Sequence, residues 1–297
     1  MSTSRVTDFA ERVKKFYYYR AFLCEQLIMR QVKIDATPPD MPPDTYNPLR
    51  SFYIDSHVLA CATLDGLSSI WKTLENPSGL ASGNTARFIN FLLQLNADPD
   101  LARVGTPFLY YFLNKQGIEE PFRGRLLWNE QTQEGWVDLV DLYSSHEVYK
   151  DPTVSELKAI YQECHRQNPI AANQTIRNID NTLFQFTYAG LIYKFYRNSF
   201  IHEFRTSRYV TSFSDPDEGI AVRQFSGLTV STQLPSGEIV FTEREFIDGV
   251  TPQLDVAIGV LTECIRLGAD QAYSLIERER VIDIPDAPDS EIIIKTQ

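Results

Sequence analysis

The sequence predicts a mainly α protein, and three observations carry that expectation. Apolar residues recur at helical spacing over most of the chain. Proline- and glycine-rich breaks separate the periodic stretches. Strand-like patterns gather in one late segment, which reads as an inserted β-hairpin. The 297 residues are enough for one large domain or two small ones. We read residues 1–278 as a single elongated helical domain and 279–297 as an acidic tail.

Each element follows from its pattern. Residues 7–33 place Phe9, Val13, Phe16, Tyr17, Leu23 and Leu27 at helical spacing, and the stretch ends before the proline-rich segment at 38–48. A second long helix is expected over 51–75, with Ile54, Val58, Cys61, Leu64, Leu67 and Trp71. Residues 77–83 break it, and Asn84 or Thr85 is positioned to cap a helix running to about Asn96. A short helix is expected within 99–117, and another over 126–149, where Gly135 weakens the pattern. Thr153-Val154-Ser155-Glu156 is a capping box, so 153–167 should be helical. A further helix is expected over 176–206. Ser214-Asp215-Pro216-Asp217-Glu218-Gly219 is a turn; 221–231 and 238–242 read as strands joined by Leu234-Pro235-Ser236-Gly237. The last helix is expected over 243–268, with Phe246, Val250, Leu254, Leu261 and Ile265.

Composition narrows the function classes. The chain is 43% hydrophobic and 23% charged, as in ordinary globular proteins. No apolar run reaches the roughly 20 residues that span a bilayer. Residues 1–16 are polar and charged without an apolar h-region, so no signal peptide is expected and the protein is read as cytoplasmic. Cys24, Cys61, Cys164 and Cys264 lie far apart, which argues against zinc spacing and for reduced core thiols. The net charge of −11 opposes an extended nucleic-acid-coating surface. It leaves room for a small basic cleft: within 194–208, Lys194, Arg197, Arg205 and Arg208 stand against Glu203 alone.

That stretch contains the most informative residues of the chain, Arg197-Asn198-Ser199-Phe200-Ile201-His202. With Arg197 at zero on an α-helical wheel, Asn198 falls at about 100° and His202 at about 140°. Lys194 falls near ~60°, Arg205 near ~80° and Arg208 near ~20°, all inside the same arc. Ile192, Phe195, Tyr196, Phe200 and Phe204 occupy the opposite arc; Ile201 is the exception. Asn198 and His202, at i and i+4, can touch.

The arginine, the polar residue after it and the histidine at this spacing resemble the Arg-x4-His signature of the HEPN superfamily. The resemblance covers six residues and their helical context. It implies an antiparallel helical bundle, here with extra N-terminal helices and the β-hairpin as additions. It implies a metal-independent endoribonuclease of toxin–antitoxin or antiviral-defence type, needing no cofactor, acting as a homodimer that brings two motifs into one cleft, and working with an antitoxin or defence partner protein. Some members extend the motif with a tyrosine two residues after the histidine that a partner enzyme modifies. Here that position is Phe204, which has no hydroxyl, so this form of regulation is not expected.

The residue chemistry fits RNA cleavage. His202 can act as base or acid near neutral pH. Arg197 stays protonated and can fork two donors onto phosphate oxygens. Asn198 can orient His202 or bond the phosphate. Lys194, Arg205 and Arg208 would then be RNA-backbone contacts. The plain alternative is a surface helix with solvated charges. Between them stands a catalytically silent helical module binding RNA, a nucleotide or a protein partner, and beyond it an all-α scaffold.

Other candidates are weaker. Asp55 and His57, two apart on a helix, point to different faces, against a shared metal. His146 and His165 sit near acidic residues on surface-like segments. Tyr17-Tyr18-Tyr19 beside Lys14, Lys15 and Arg20 mixes rings and cations as RNA-stacking surfaces do, but three consecutive side chains cannot share one helix face. Phosphate-loop and Gly-x-Ser-x-Gly patterns are absent from the sequence.

Overall fold

A computed structural model of the chain describes residues 3–29, 31–33, 49–75, 83–118, 122, 145–147, 151–167, 176, 178–199, 207, 209–210, 219–225, 229–233, 239–243, 251–282 and 284. Over these residues the protein is mainly helical. Its centre is a three-helix unit of α1 (Thr3–Ile28), α2 (Tyr53–Glu75) and α8 (Ile258–Glu279).

The three helices pack through apolar stripes, and polar pins fix their directions. Thr7 donates to Glu277 at 2.9 Å near one end of α1, and Arg266 donates to Glu25 at 2.5 Å near the other, so α1 runs antiparallel to α8. Ser56 donates to the Cys24 carbonyl at 2.7 Å, which sets α2 antiparallel to α1 as well. Val6, Ala10, Val13, Tyr17, Ala21 and Cys24 form the buried stripe of α1 at helical spacing. Gly268 allows α8 to approach closely: a Cβ there would lie 2.8 Å from the Phe91 ring and 3.2 Å from Leu67. The three consecutive tyrosines divide as helix geometry requires. Tyr17 is buried, Tyr18 donates to Asp270, and Tyr19 is exposed.

Around this unit stand α3 (Asn84–Leu95), a 3-10 turn (Pro99–Ala102), α4 (Thr106–Lys115) and α5 (Val154–Gln167). The capping box forms as expected. Glu156 accepts from the Thr153 backbone N–H at 2.7 Å, and the Glu156 N–H donates to the Thr153 hydroxyl at 3.4 Å. Neither expected capper of α3 is the cap: the helix starts at Asn84 after an extended Gly83, without a side-chain cap, and stops at Asn96 in the left-handed region.

The strands depart from the expectation. β1 (Gln31–Lys33) pairs antiparallel with β2 (Leu49–Ser51), so the helix expected over 7–33 ends at Ile28. The helix expected over 126–149 gives way at 145–147 to β3, and the rest of that range lies outside the described residues. The expected hairpin is realised by β5 (Thr229–Gln233) and β6 (Ile239–Glu243), in register Gln233↔Ile239. Residues 220–225 form a separate strand, β4, between β3 and β7 (Thr251–Val256).

The last helix is therefore corrected at both ends. Residues 251–256 lie in an antiparallel ladder against β4, and the helix runs from Ile258 to Glu279 instead of over 243–268. In Leu254-Asp255-Val256-Ala257-Ile258, strand and helix periodicities overlap, and pairing with β4 decides the outcome. α8 ends at Glu279, with Arg280 in the left-handed conformation after it, and Ile284 is buried in the core. Among the described residues no helix is long and apolar enough to cross a membrane.

Candidate functional site

The segment bearing Arg197 is an interrupted helix. α6 (Ile179–Gln185), capped by Asn178, stops at Phe186. Thr187 is extended, and its hydroxyl accepts from the Gly190 N–H at 3.1 Å to start α7 (Tyr188–Leu191). From Ile192 to Arg197 the backbone widens into a π turn. The helix expected over 176–206 thus begins at 179 and is broken at 186–187; residues 200–206 lie outside the described residues.

Neighbours close on this segment from several sides. The Tyr193 ring meets Phe88 of α3, and Phe195 meets Phe108 of α4. Tyr196 donates to the Leu254 carbonyl at 3.3 Å and accepts from the Val256 N–H at 3.0 Å, which ties the π turn to β7. Burial raises the Tyr196 phenol well above its ordinary range. Tyr188 donates to Asp151 at 2.5 Å, and Thr106 donates to the other oxygen of that carboxylate at 2.6 Å.

Arg197 faces α2. Its Nη2 donates to Asp65 Oδ2 at 2.9 Å, its Nη1 donates to Asn198 Oδ1 at 3.1 Å, and its guanidinium lies 5.4 Å from the Tyr193 ring centre. The residue is only 7% exposed. Asp65 is shared: its Oδ1 accepts from Arg87 Nη2 at 2.8 Å, while Arg87 also donates to Ser68 at 3.1 Å and Ser69 at 2.9 Å. Two guanidinium groups thus share one carboxylate.

The polar arc read from an α-helical wheel is divided here. An i→i+5 turn winds each residue by less than the roughly 100° of an α-helix. Arg197 turns inward to Asp65, whereas Lys194 is exposed and lies over the Phe112 ring at 4.0 Å, on the α4 side. Asn198 stays with Arg197. His202, Arg205 and Arg208 lie outside the described residues.

Asp65 and Arg87 escaped sequence reasoning. Asp65 carried a faint signal: it lies beside Leu64 at the edge of the apolar stripe of α2, followed by Ser68 and Ser69. Arg87 carried none. The remaining candidates separate clearly. His57 is fully buried, with Nδ1 2.9 Å from the Tyr53 carbonyl and Nε2 2.9 Å from the Val256 carbonyl. His165 sits on α5 against the Tyr161 ring. All four cysteines are buried thiols, with burial pushing Cys24 and Cys264 up to about 12. Among the described residues no three His, Cys, Asp or Glu side chains converge as a metal site.

Comparison of the chain with protein-family models, curated proteins and solved structures gave no match.

Proposed function

We propose that the protein is a HEPN-type endoribonuclease that cuts RNA without a metal, leaving a 2′,3′-cyclic phosphate and a 5′-hydroxyl. The observation that carries this reading is the Arg197–Asn198 pair. The motif's guanidinium and carboxamide are bonded to each other at the end of a π turn, and Asp65 fixes the guanidinium from behind. π turns recur at functional sites, and an arginine held in this way loses little freedom on meeting a phosphate.

In the proposed reaction the 2′-oxygen attacks phosphorus and the bond to the 5′-oxygen breaks. The 2′-proton passes to a base, and a proton is delivered to the leaving 5′-oxygen. His202 serves in one of these roles. Its counterpart from a second copy of the chain serves in the other, because one imidazole cannot readily do both in a single step. Arg197 stabilises charge on the phosphorane, and Asn198 orients His202 or the phosphate. Arg205 and Arg208 contact the RNA backbone, as does Lys194 from the other side of the turn. A role in prokaryotic toxin–antitoxin or antiviral defence, with a partner protein controlling the nuclease, belongs to the same proposal.

A second reading rests on the burial of Arg197. A guanidinium that is 7% exposed and paired with Asp65 also suits a catalytically silent module, in which the ion pair joins the motif helix to α2. Incubating wild type and His202→Ala with total RNA in EDTA separates the two. The nuclease reading expects fragments with cyclic-phosphate ends from wild type alone. Intact RNA in both samples at high enzyme concentration selects the silent module.

A further inference from the structure

Lys194 sits differently from the ion-paired cations of this acidic chain. Lys14, Arg87, Arg103, Lys158, Arg197 and Arg266 each face a carboxylate. Among the described residues Lys194 faces rings instead. Its ammonium lies 4.0 Å from the centre of Phe112, 5.2 Å from Phe186 and 5.4 Å from Phe195. Tyr209 completes the cluster, 4.8 Å from Phe195 and 5.6 Å from Phe112. The rings are fixed by the fold: Phe112 by α4, Phe186 by the break before α7, Phe195 by the π turn, and Tyr209 by the carbonyl that accepts from the Leu254 N–H at 2.7 Å. Phe112 and Tyr209 are only partly buried.

Although the chain has 39 acidic residues against 28 basic ones, none among the described residues forms an ion pair with Lys194. A cation held on π faces instead is attracted by the ring quadrupoles yet remains open to an anion. Desolvation against the rings lowers the Lys194 pKa from its ordinary value, a penalty that an arriving phosphate would relieve. Rings beside a cation form the surface that single-stranded nucleic acid uses, with bases on the rings and phosphate on the cation. Lys194 lies over the rings on the α4 side while Arg197 turns to Asp65, which places the two cations for different phosphates.

We propose that Lys194 with Phe112 and Tyr209 forms a subsite for single-stranded RNA, in which a base stacks on the rings and a phosphodiester other than the scissile one meets the ammonium. This rests on the nuclease reading and specifies its substrate: an unpaired strand that continues past the cut. Duplex RNA, whose bases are stacked on each other, cannot use the rings.

The test measures fluorescence anisotropy of a labelled oligouridylate and of a blunt RNA duplex, over a range of salt concentrations. It uses the full chain in a His202→Ala background, so that the RNA stays intact. Lys194→Gln should weaken single-strand binding severalfold and reduce the slope of log K against log salt by about 0.7, while Lys194→Arg restores both. Phe112→Leu, which keeps an apolar side chain in the core, should weaken single-strand binding about tenfold and leave the salt slope unchanged. Thermal melting checks that each variant is folded. An unchanged slope in Lys194→Gln, or equal losses for duplex and single strand, overturns the subsite. If wild type still yields cyclic-phosphate fragments, the nuclease reading survives that result. If wild type neither binds nor cuts RNA, both fall.

Discussion

Asp65 and Arg197, 132 residues apart in sequence, meet at 2.9 Å, and the same carboxylate holds Arg87 at 2.8 Å through its other oxygen. The carboxylate is a quarter exposed and the two guanidinium side chains about a tenth. Removing the carboxylate would take a shared acceptor from two largely buried guanidinium groups. Asp65→Ala should cost about 3 kcal/mol of folding stability, read by urea denaturation. Arg197→Lys should cost less but abolish the proposed RNA cleavage, because one ammonium cannot span Asp65 and Asn198 as a planar fork does. Equal stability in Asp65→Ala and wild type would remove the ion pair from any account of how the motif helix is held.

Tyr188 and Thr106 supply one hydroxyl to each oxygen of the fully buried Asp151. Tyr188→Phe keeps the ring and withdraws a donor from a buried carboxylate. A loss of about 2 kcal/mol is expected, since leaving a buried charged acceptor underbonded costs more than the bond itself contributes. Denaturant titration of this single variant checks it; a neutral outcome would mean that water replaces the phenol.

Among the described glycines, Gly190 has the least room for a side chain. A Cβ there would stand 2.5 Å from the Gln185 carbonyl oxygen and 2.8 Å from its carbon, because the break at 186–187 folds α6 back against α7. The obstacle is backbone, which cannot rotate away as a side chain can. Gly190→Ala should lose about 1–3 kcal/mol and displace the π turn that follows. A melting curve tests the first expectation, and the proposed RNA cleavage, compared with the loss of stability, tests the second.

His57 is enclosed by α2, β7 and the Tyr53 and Tyr196 rings. Burial drives its pKa below the ordinary 6.5, and the two carbonyl contacts offset this only in part. A folded-state pKa below the unfolded one means that the unfolded chain takes up the proton first. The contribution of His57 to stability is therefore complete above about pH 6.5 and declines as pH falls from there towards the folded-state pKa. NMR titration of the imidazole should give a midpoint below 6.5, and His57→Gln should flatten the loss of stability between roughly pH 7 and pH 5. A midpoint above 6.5 would reverse the sign and identify a buried imidazolium donating to both carbonyls.

The helices with long, uninterrupted apolar stripes were legible from local pattern alone. α2 lies two residues inside its expected range, α3 within one, and the Thr153–Glu156 box caps α5 as its spacing implies. These are local matters of periodicity and capping, and local sequence suffices for them. The β5–β6 hairpin was legible for the same reason. The tertiary structure decided what depends on distant partners. Residues 251–256 are a strand because β4 lies beside them, although their pattern also suits a helix. At the candidate site, the sequence pattern put Lys194 beside Arg197 and Asn198, on the assumption of a regular helix. The break at Thr187 and the π turn overrode that assumption, turning Lys194 to the rings and Arg197 to Asp65. No spacing rule joins Asp65 or Arg87 to Arg197, because their meeting depends on how α2 and α3 pack against the motif segment, and that packing is set by the whole core at once.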